Sequence, residues 1–228
     1  MKIDTILKKV ERCEKIRGYP SKIRRLEIKI VKNLIKLLKN THQLNRTDII
    51  KLLDKSYGKY GFVNNTLLKI LINDSSWVVR ACVAESLGRK KYKKAVPQLI
   101  KALKDKHRVV RGYAAQALAD IGVVKAKKYI KRQLQKEQSS YSKVDMYNAL
   151  YRLGEKDMLL KLIQIIKNKQ SIIRRNAAVL LIDNANKNNS KLIIKTFREA
   201  LKNEYKLYLR KMLKKYIKEL TKTFGKEV

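Results

Sequence analysis

A short run of residues recurs along this chain at a near-constant spacing, and that period constrains the fold more than any other feature. The clearest copy is DKHRVVRGYAAQALADIG, Asp105 to Gly122. DSSWVVRACVAESLG, Asp74 to Gly88, precedes it, and a fainter copy, SIIRRNAAVLLI, follows from Ser171 to Ile182. Placing Arg80, Arg111, Lys143 and Arg174 in one column gives spacings of 31, 32 and 31 residues. A fifth, degenerate unit is expected after these, with Lys206 at spacing 32 as its best match to the column. Periods of roughly 20–50 residues mark stacked arrays, because one unit cannot bury its apolar face without its neighbours.

Each unit reads as an A helix followed by a B helix. The A helices are expected near 64–73, 94–104, 125–137, 156–168 and 190–203, and the B helices near 76–88, 108–121, 142–153, 172–184 and 205–220. Pro97 falls in the first turn of its A helix, where a missing N–H is tolerated. Ala81, Ala84, Ala114, Ala115, Ala117, Ala177 and Ala178 keep the B helices slim enough for close approach, while Leu99, Ile100 and Leu103 supply bulk from an A helix. With two prolines and eight glycines in 228 residues, little is left for β-turns or long linkers, and the class is all-α.

The pattern D-x-x-x-x-V-R-x-x-A-A-x-A-L-G resembles HEAT-like repeats, of the short kind also found in phycobilin lyase subunits. The resemblance covers about residues 64–220 and is strongest at 71–122. It implies an α-α superhelix, a right-handed solenoid with A helices on the convex side and B helices lining the concave side. Residues 1–63 lack the motif and are expected to form an N-terminal helical cap, continuous with about five repeats over 64–228. The Asp74–Arg80 and Asp105–Arg111 pairs look like the polar ladder of HEAT-like stacks, an acid at the turn and an Arg in helix B bonding across adjacent repeats. The ladder weakens downstream, which leaves Lys143 and Arg174 without an obvious acid. HEAT-like folds serve many roles, so the likeness identifies architecture and not function.

Charge narrows the ligand. The chain carries 56 Lys plus Arg against 19 Asp plus Glu, a net charge of +37, spread over both the first 60 residues and the remainder. A folded body so basic repels itself, and a polyanion relieves that repulsion. The most regular cation pattern lies in a helix expected over 22–39, after a first helix over 4–17 and a Gly-Tyr-Pro-Ser break. Lys22, Arg25, Lys29, Lys32, Lys36 and Lys39 alternate by three and four and fall on one stripe, beside an apolar seam of Ile23, Leu26, Ile30, Leu34 and Leu37. A third helix is expected from Thr47 to Tyr57. Further contact candidates are the B-helix cations Arg108, Lys143, Arg152, Arg174, Arg175, Arg210, Lys211, Lys214 and Lys215.

Catalytic chemistry finds little support. His42 and His107 are the only histidines, and neither joins a cluster at metal-ligand spacing, so no metal or cofactor is expected. The His-Glu iron sites of deoxyhypusine hydroxylase, itself HEAT-like, are absent. No nucleophile-base arrangement and no phosphate-cradling Gly-rich loop occurs. Trp77, the single Trp, lies three residues from Asp74 and from Arg80, and that trio resembles the groove of HEAT-like DNA glycosylases in its residue types. Cys13 and Cys82 read as reduced thiols, and no leader or apolar run of membrane-spanning length is visible, so the expected location is the cytoplasm. The expected function is therefore non-catalytic polyanion binding, with nucleic acid (DNA or RNA) first, held through the phosphate backbone. A nucleic-acid enzyme, a scaffold for an acidic protein, and contact with an anionic membrane surface are the competing readings.

Overall fold

The computed structural model describes residues 21–38, 43–57 and 60–225, so the helix expected at 4–17 lies outside it. Every regular element among the described residues is helical. The chain divides into two compact units, residues 1–86 and 87–228.

The first unit contains α1 (Ser21–Leu37), α2 (Gln43–Tyr57), α3 (Gly61–Asn73) and most of α4 (Trp77–Arg89). Helix α1 matches the expected 22–39 span closely; of the expected seam Leu34 is fully buried and Ile30 and Leu37 are only half-buried, with Val31 and Leu38 buried beside them, while the Ile23 and Leu26 side chains lie outside the described residues. Val31, Leu34 and Leu38 face a core that also holds Ile49, Ile50, Leu53, Val63, Leu67 and Leu71, with α1, α2 and α3 packing on one another. Helix α2 starts a turn before Thr47, which therefore sits inside the helix and not at its cap.

The second unit is a series of A–B pairs. A 3₁₀ turn (Lys93–Ala95) leads into α5 (Val96–Ala102), paired with α6 (Arg108–Ile121). A second 3₁₀ turn (Val124–Ala126) leads into α7 (Lys127–Lys136), paired with α8 (Ser140–Arg152). Helices α9 (Met158–Ile165) and α10 (Ser171–Asp183), then α11 (Ser190–Asn203) and α12 (Leu207–Phe224), complete the series. Each A helix packs on its own B helix, and the B helices pack in order, α6 on α8, α8 on α10 and α10 on α12.

Close approach explains the small residues. Ala114, Ala115 and Ala117 are fully buried, and a Cβ on Gly88 would lie 2.6 Å from the Ala117 Cα, so only glycine fits there. Helix α6 ends at Gly122, whose φ of 78° lets its N–H return to the Ala119 carbonyl. Farther along, Leu162, Ile173, Ala177, Leu181, Ile193, Phe197 and Leu213 form one apolar core.

The last repeat corrects the sequence register. Arg210, not Lys206, occupies the column, because its Nη1 donates to the Glu204 carbonyl at 2.7 Å just as Arg174 Nη1 donates to the Asn168 carbonyl at 2.8 Å. Arg210 lies 36 residues beyond Arg174. The added length sits around the asparagine-rich turn 184–189 and in α11, at 14 residues longer than α7 or α9.

Candidate polyanion-binding surface

The column residue is the fourth residue of every B helix, and its geometry repeats. Arg111 Nη1 donates to the Asp105 and Lys106 carbonyls at 2.8 and 3.2 Å, closing the turn before α6. Its Nε and Nη2 then grip the Glu137 carboxylate at 2.6 and 2.7 Å, in the next repeat. Arg174 does the same, closing the Asn168–Lys169 turn and gripping Glu204 at 2.7 and 2.8 Å. The acids also hold the backbone at the start of the next helix. Glu137 accepts from the Ser139 N–H at 2.9 Å and Glu204 from the Lys206 N–H at 3.0 Å. Asp105 and Asp74 cap His107 and Ser76 in the same way.

The ladder thus exists, with a different division of labour from the one expected. Within a repeat the Arg meets the acid's backbone carbonyl; the carboxylate it grips belongs to the following repeat. Arg174 is consequently a structural cation with an acid partner, contrary to expectation. Arg80 is buried and bonds the Asp74 carbonyl at 2.7 Å. Arg46 is the fourth residue of α2 and meets the Asp74 carboxylate at 2.7 Å, so a rung of the same kind lies inside the first unit. Lys143 holds the column position in α8 but is half-buried, and Asn168 stands where its acid would be.

Electrostatics follow the rungs. Burial opposes ionisation of Glu137, but the Arg111 and Ser139 hydrogen bonds outweigh it and hold the carboxyl below its ordinary range. Its bond to Arg174 likewise holds Glu204 down. Lys127 and Lys131, at 2.8 and 2.6 Å, bring Glu155 down to about 2.

A second polar line runs through the B helices. Asn184 donates to Asn148 at 2.5 Å, Asn148 to Gln116 at 2.8 Å, and Gln116 weakly to Asp145 at 3.4 Å. Asp145 retains some exposed surface as a residue, but its carboxylate lies against Gly112, where any Cβ would collide with Oδ2. Burial pushes this carboxyl up to about 7, and the Gln116 hydrogen bond only partly opposes it.

The remaining expected contacts divide into exposed and occupied groups. On α1, Arg25, Lys29, Lys32 and Lys36 are exposed along one line; the Lys22 side chain and Lys39 lie outside the described residues. Arg108, Arg175, Lys211, Lys214 and Lys215 are exposed. Arg152 is ion-paired to Asp120 at 2.6 Å, and Arg210 is half-buried with Nη1 on the Leu201 and Glu204 carbonyls. Among the B-helix candidates, then, Arg152, Arg174 and Arg210 are engaged by the protein itself. Trp77 opens α4 with 40 % of its surface exposed. Asp74, the acid nearest to it in sequence, is committed to the Ser76 N–H and to Arg46.

Sequence reasoning missed a second stripe. Lys191, Lys195, Arg198 and Lys202 on α11 are all exposed and repeat the 4-3-4 spacing of Arg25, Lys29, Lys32 and Lys36. Lys211, Lys215, Lys218 and Lys222 repeat it again on α12. The spacing itself was the available signal. Among the described residues, no group of three His, Cys, Asp or Glu is placed to hold a metal ion. None of the described helices is long and apolar enough to cross a membrane.

Residues 64–145 match the family model of HEAT repeats, in line with the paired helices and the ladder. Over those residues the chain consists of HEAT-like repeats. Among solved structures, this HEAT-like chain is similar to one in the complex of CpcE and CpcF of phycocyanin lyase from Nostoc sp. PCC7120. The two are 16% identical with a TM-score of 0.44, covering 83% of this chain and 94% of that one. A designed armadillo repeat protein is 15% identical with a TM-score of 0.41, covering 83% and 99%. An engineered protein is 18% identical with a TM-score of 0.44, covering 90% and 62%. No curated protein matches the HEAT-like chain in sequence.

Proposed function

We propose that this HEAT-like protein is a non-catalytic binder of polyanions, with nucleic acid as its first ligand, held through the phosphate backbone. The observation that carries this reading is the separation of two cation populations. Arg46, Arg111 and Arg174 of the ladder are paired with carboxylates, whereas the lysine-rich stripes of α1, α11 and α12 face solvent with no ion pair among the described residues. Such stripes neutralise phosphates and release counterions, and that affinity needs no contact with a base edge.

Affinity for duplex DNA should fall linearly on a log–log salt plot, with a slope of about −5 to −9 if roughly six to ten phosphates are neutralised. Scrambling the DNA sequence should change little. A slope shallower than about −2, or strong preference for one sequence, refutes the reading. A second reading, a scaffold for an acidic protein, is favoured by the exposure of Leu207 (66 %) at the start of α12. Nucleic acid that co-purifies and is removed by nuclease and high salt separates the two.

A further inference from the structure

The second unit has an edge where the A helices end and the B helices begin, and its side chains combine two features. A groove of about 990 Å³ opens there between the turns 104–108, 136–141 and 170–173. Lys104, Lys106, Arg108 and Lys136 line it, all exposed and without an ion pair among the described residues. The lining also includes Tyr141, half-buried, and Ile172, which is 47 % exposed. A second groove of about 860 Å³ is lined by the neighbouring turns, with Lys167, Lys169 and Lys202 beside Tyr205, which is 71 % exposed. Residues 168–174 contribute to both, so the two grooves adjoin along the same edge.

The plain alternative is that these lysines merely complement helix dipoles. That accounts for Lys101, Lys136 and Lys202, each in the last turn of an A helix. It does not account for Arg108, the first residue of α6, or Lys206, immediately before α12, where the positive helix end repels a cation. Of the carboxylates lining the grooves, Glu137 and Glu204 are held by Arg111 and Arg174 and Asp105 accepts the His107 N–H, which leaves Glu199 as the exposed acid beside Lys104, Lys106, Arg108, Lys136, Lys167, Lys169 and Lys202. What remains is a row of unpaired cations beside apolar and aromatic side chains. A duplex presents only phosphates to such a surface and leaves the apolar wall wet. A single strand uses both, with phosphates on the cations and unstacked bases on the rings.

We propose that single-stranded nucleic acid lies along this edge, its phosphates on Lys106, Arg108, Lys136 and Lys169 and its bases against Tyr141, Ile172 and Tyr205. This rests on the nucleic-acid reading above and adds a location and a strand state. The Lys206 ammonium, 5.2 Å from the centre of the Tyr205 ring, places a charge for a phosphate beside that platform.

The test uses the full chain, fluorescence anisotropy, a labelled oligothymidylate and a random-sequence duplex. Lys106→Gln/Arg108→Gln/Lys136→Gln should make the single-strand salt slope shallower by about two, at ~0.7 for each phosphate no longer neutralised. The control Lys93→Gln/Lys94→Gln/Lys125→Gln, exposed at the opposite ends of the A helices and outside the stripes, should leave that slope essentially unchanged. Tyr205→Ala, at a well-exposed position, should weaken oligothymidylate binding about fivefold or more, with duplex binding unaltered. Thermal melting confirms that each variant folds. If the unaltered protein binds neither probe at low salt, the nucleic-acid reading falls and this inference with it. If it binds but the edge variant keeps its slope, or the control loses slope instead, the location is wrong while the wider reading stands. Equal binding of both probes with Tyr205→Ala neutral overturns the single-strand assignment.

Discussion

Replacing Asp145 by Asn should stabilise the protein at high pH and do almost nothing at low pH. The carboxyl lies against Gly112 with one weak hydrogen bond from Gln116, so the fold favours its neutral form and raises it from 3.8 to about 7. A group raised on folding contributes stability below its unfolded value and loses it as pH climbs through the folded one. For Asp145 that window runs from 3.8 to about 7. At 1.36 kcal/mol per pH unit, ionisation costs the fold about 4 kcal/mol relative to the unfolded chain, and local relaxation or water entry reduces this to about 2–4. Asn has nearly the shape of the protonated acid, carries no charge, and still accepts from Gln116. The difference between Asn and Asp variants should therefore open from near zero at about pH 4 to about 2–4 kcal/mol above pH 8, read by urea melts across that range. At roughly 2–4 °C per kcal/mol the shift in melting temperature is easily resolved. Acid loss of the Glu137 and Glu204 rungs affects both proteins equally and cancels in the difference. A stability gap that is flat from about pH 5 to about pH 8.5 would refute the reasoning.

Other perturbations follow from the same contacts. Gly112→Ala should destabilise by about 1–3 kcal/mol, since the new methyl meets the Asp145 carboxylate, and Asp145→Ala should restore much of the loss in chemical melts. Arg174→Ala should cost about 2–4 kcal/mol by leaving Glu204 buried and unpaired, whereas Arg175→Ala should change stability by less than about 0.5. The Arg174 loss should shrink as acid protonates Glu204, because that carboxyl is held low chiefly by its partner. Changing Arg25, Lys29, Lys32 and Lys36 together to Gln should keep helix content by circular dichroism and make the duplex salt slope shallower by about three to four if α1 grips phosphate. An unchanged slope with intact folding reduces α1 to a solvated cap.

Much of the architecture was legible because the period and the small residues report backbone proximity directly. The B-helix boundaries fell within a few residues of those expected, and the alanines at 114, 115, 117, 177 and 178 are buried. What failed to read was anything that depends on a neighbour many residues away. Arg174 looked unpaired because its acid, Glu204, lies 30 residues downstream and beyond a longer turn. Lys206 looked like the last column residue because a constant period was assumed where α11 is longer. The seam of α1 kept Leu34 but shifted to Val31 from Ile30 and to Leu38 from Leu37, because each of these pairs is apolar and a pattern of three and four cannot choose between adjacent residues without the facing helix. The α11 stripe, by contrast, was available in the sequence and needed only the spacing already applied to α1.

The ladder also bears on how a cation should be weighed in a repeat protein of this charge. Arg80, Arg111, Arg174 and Arg210 each use one nitrogen to close their own turn, and Arg111 and Arg174 use two more to hold the next repeat. The charges of Arg111 and Arg174 are strong in the sequence pattern and absent from the surface field, because an acid cancels them within the stack. The lysines of α11 and α12 are the reverse: they hold no column and close no turn, and they project their charge. Periodicity therefore identifies the cations that build the stack, and the surplus outside the column identifies those available to a ligand. On that criterion Arg108, Lys136 and the α11 stripe carry more weight than Arg174 or Arg210, although the latter pair stand out first in the aligned repeats.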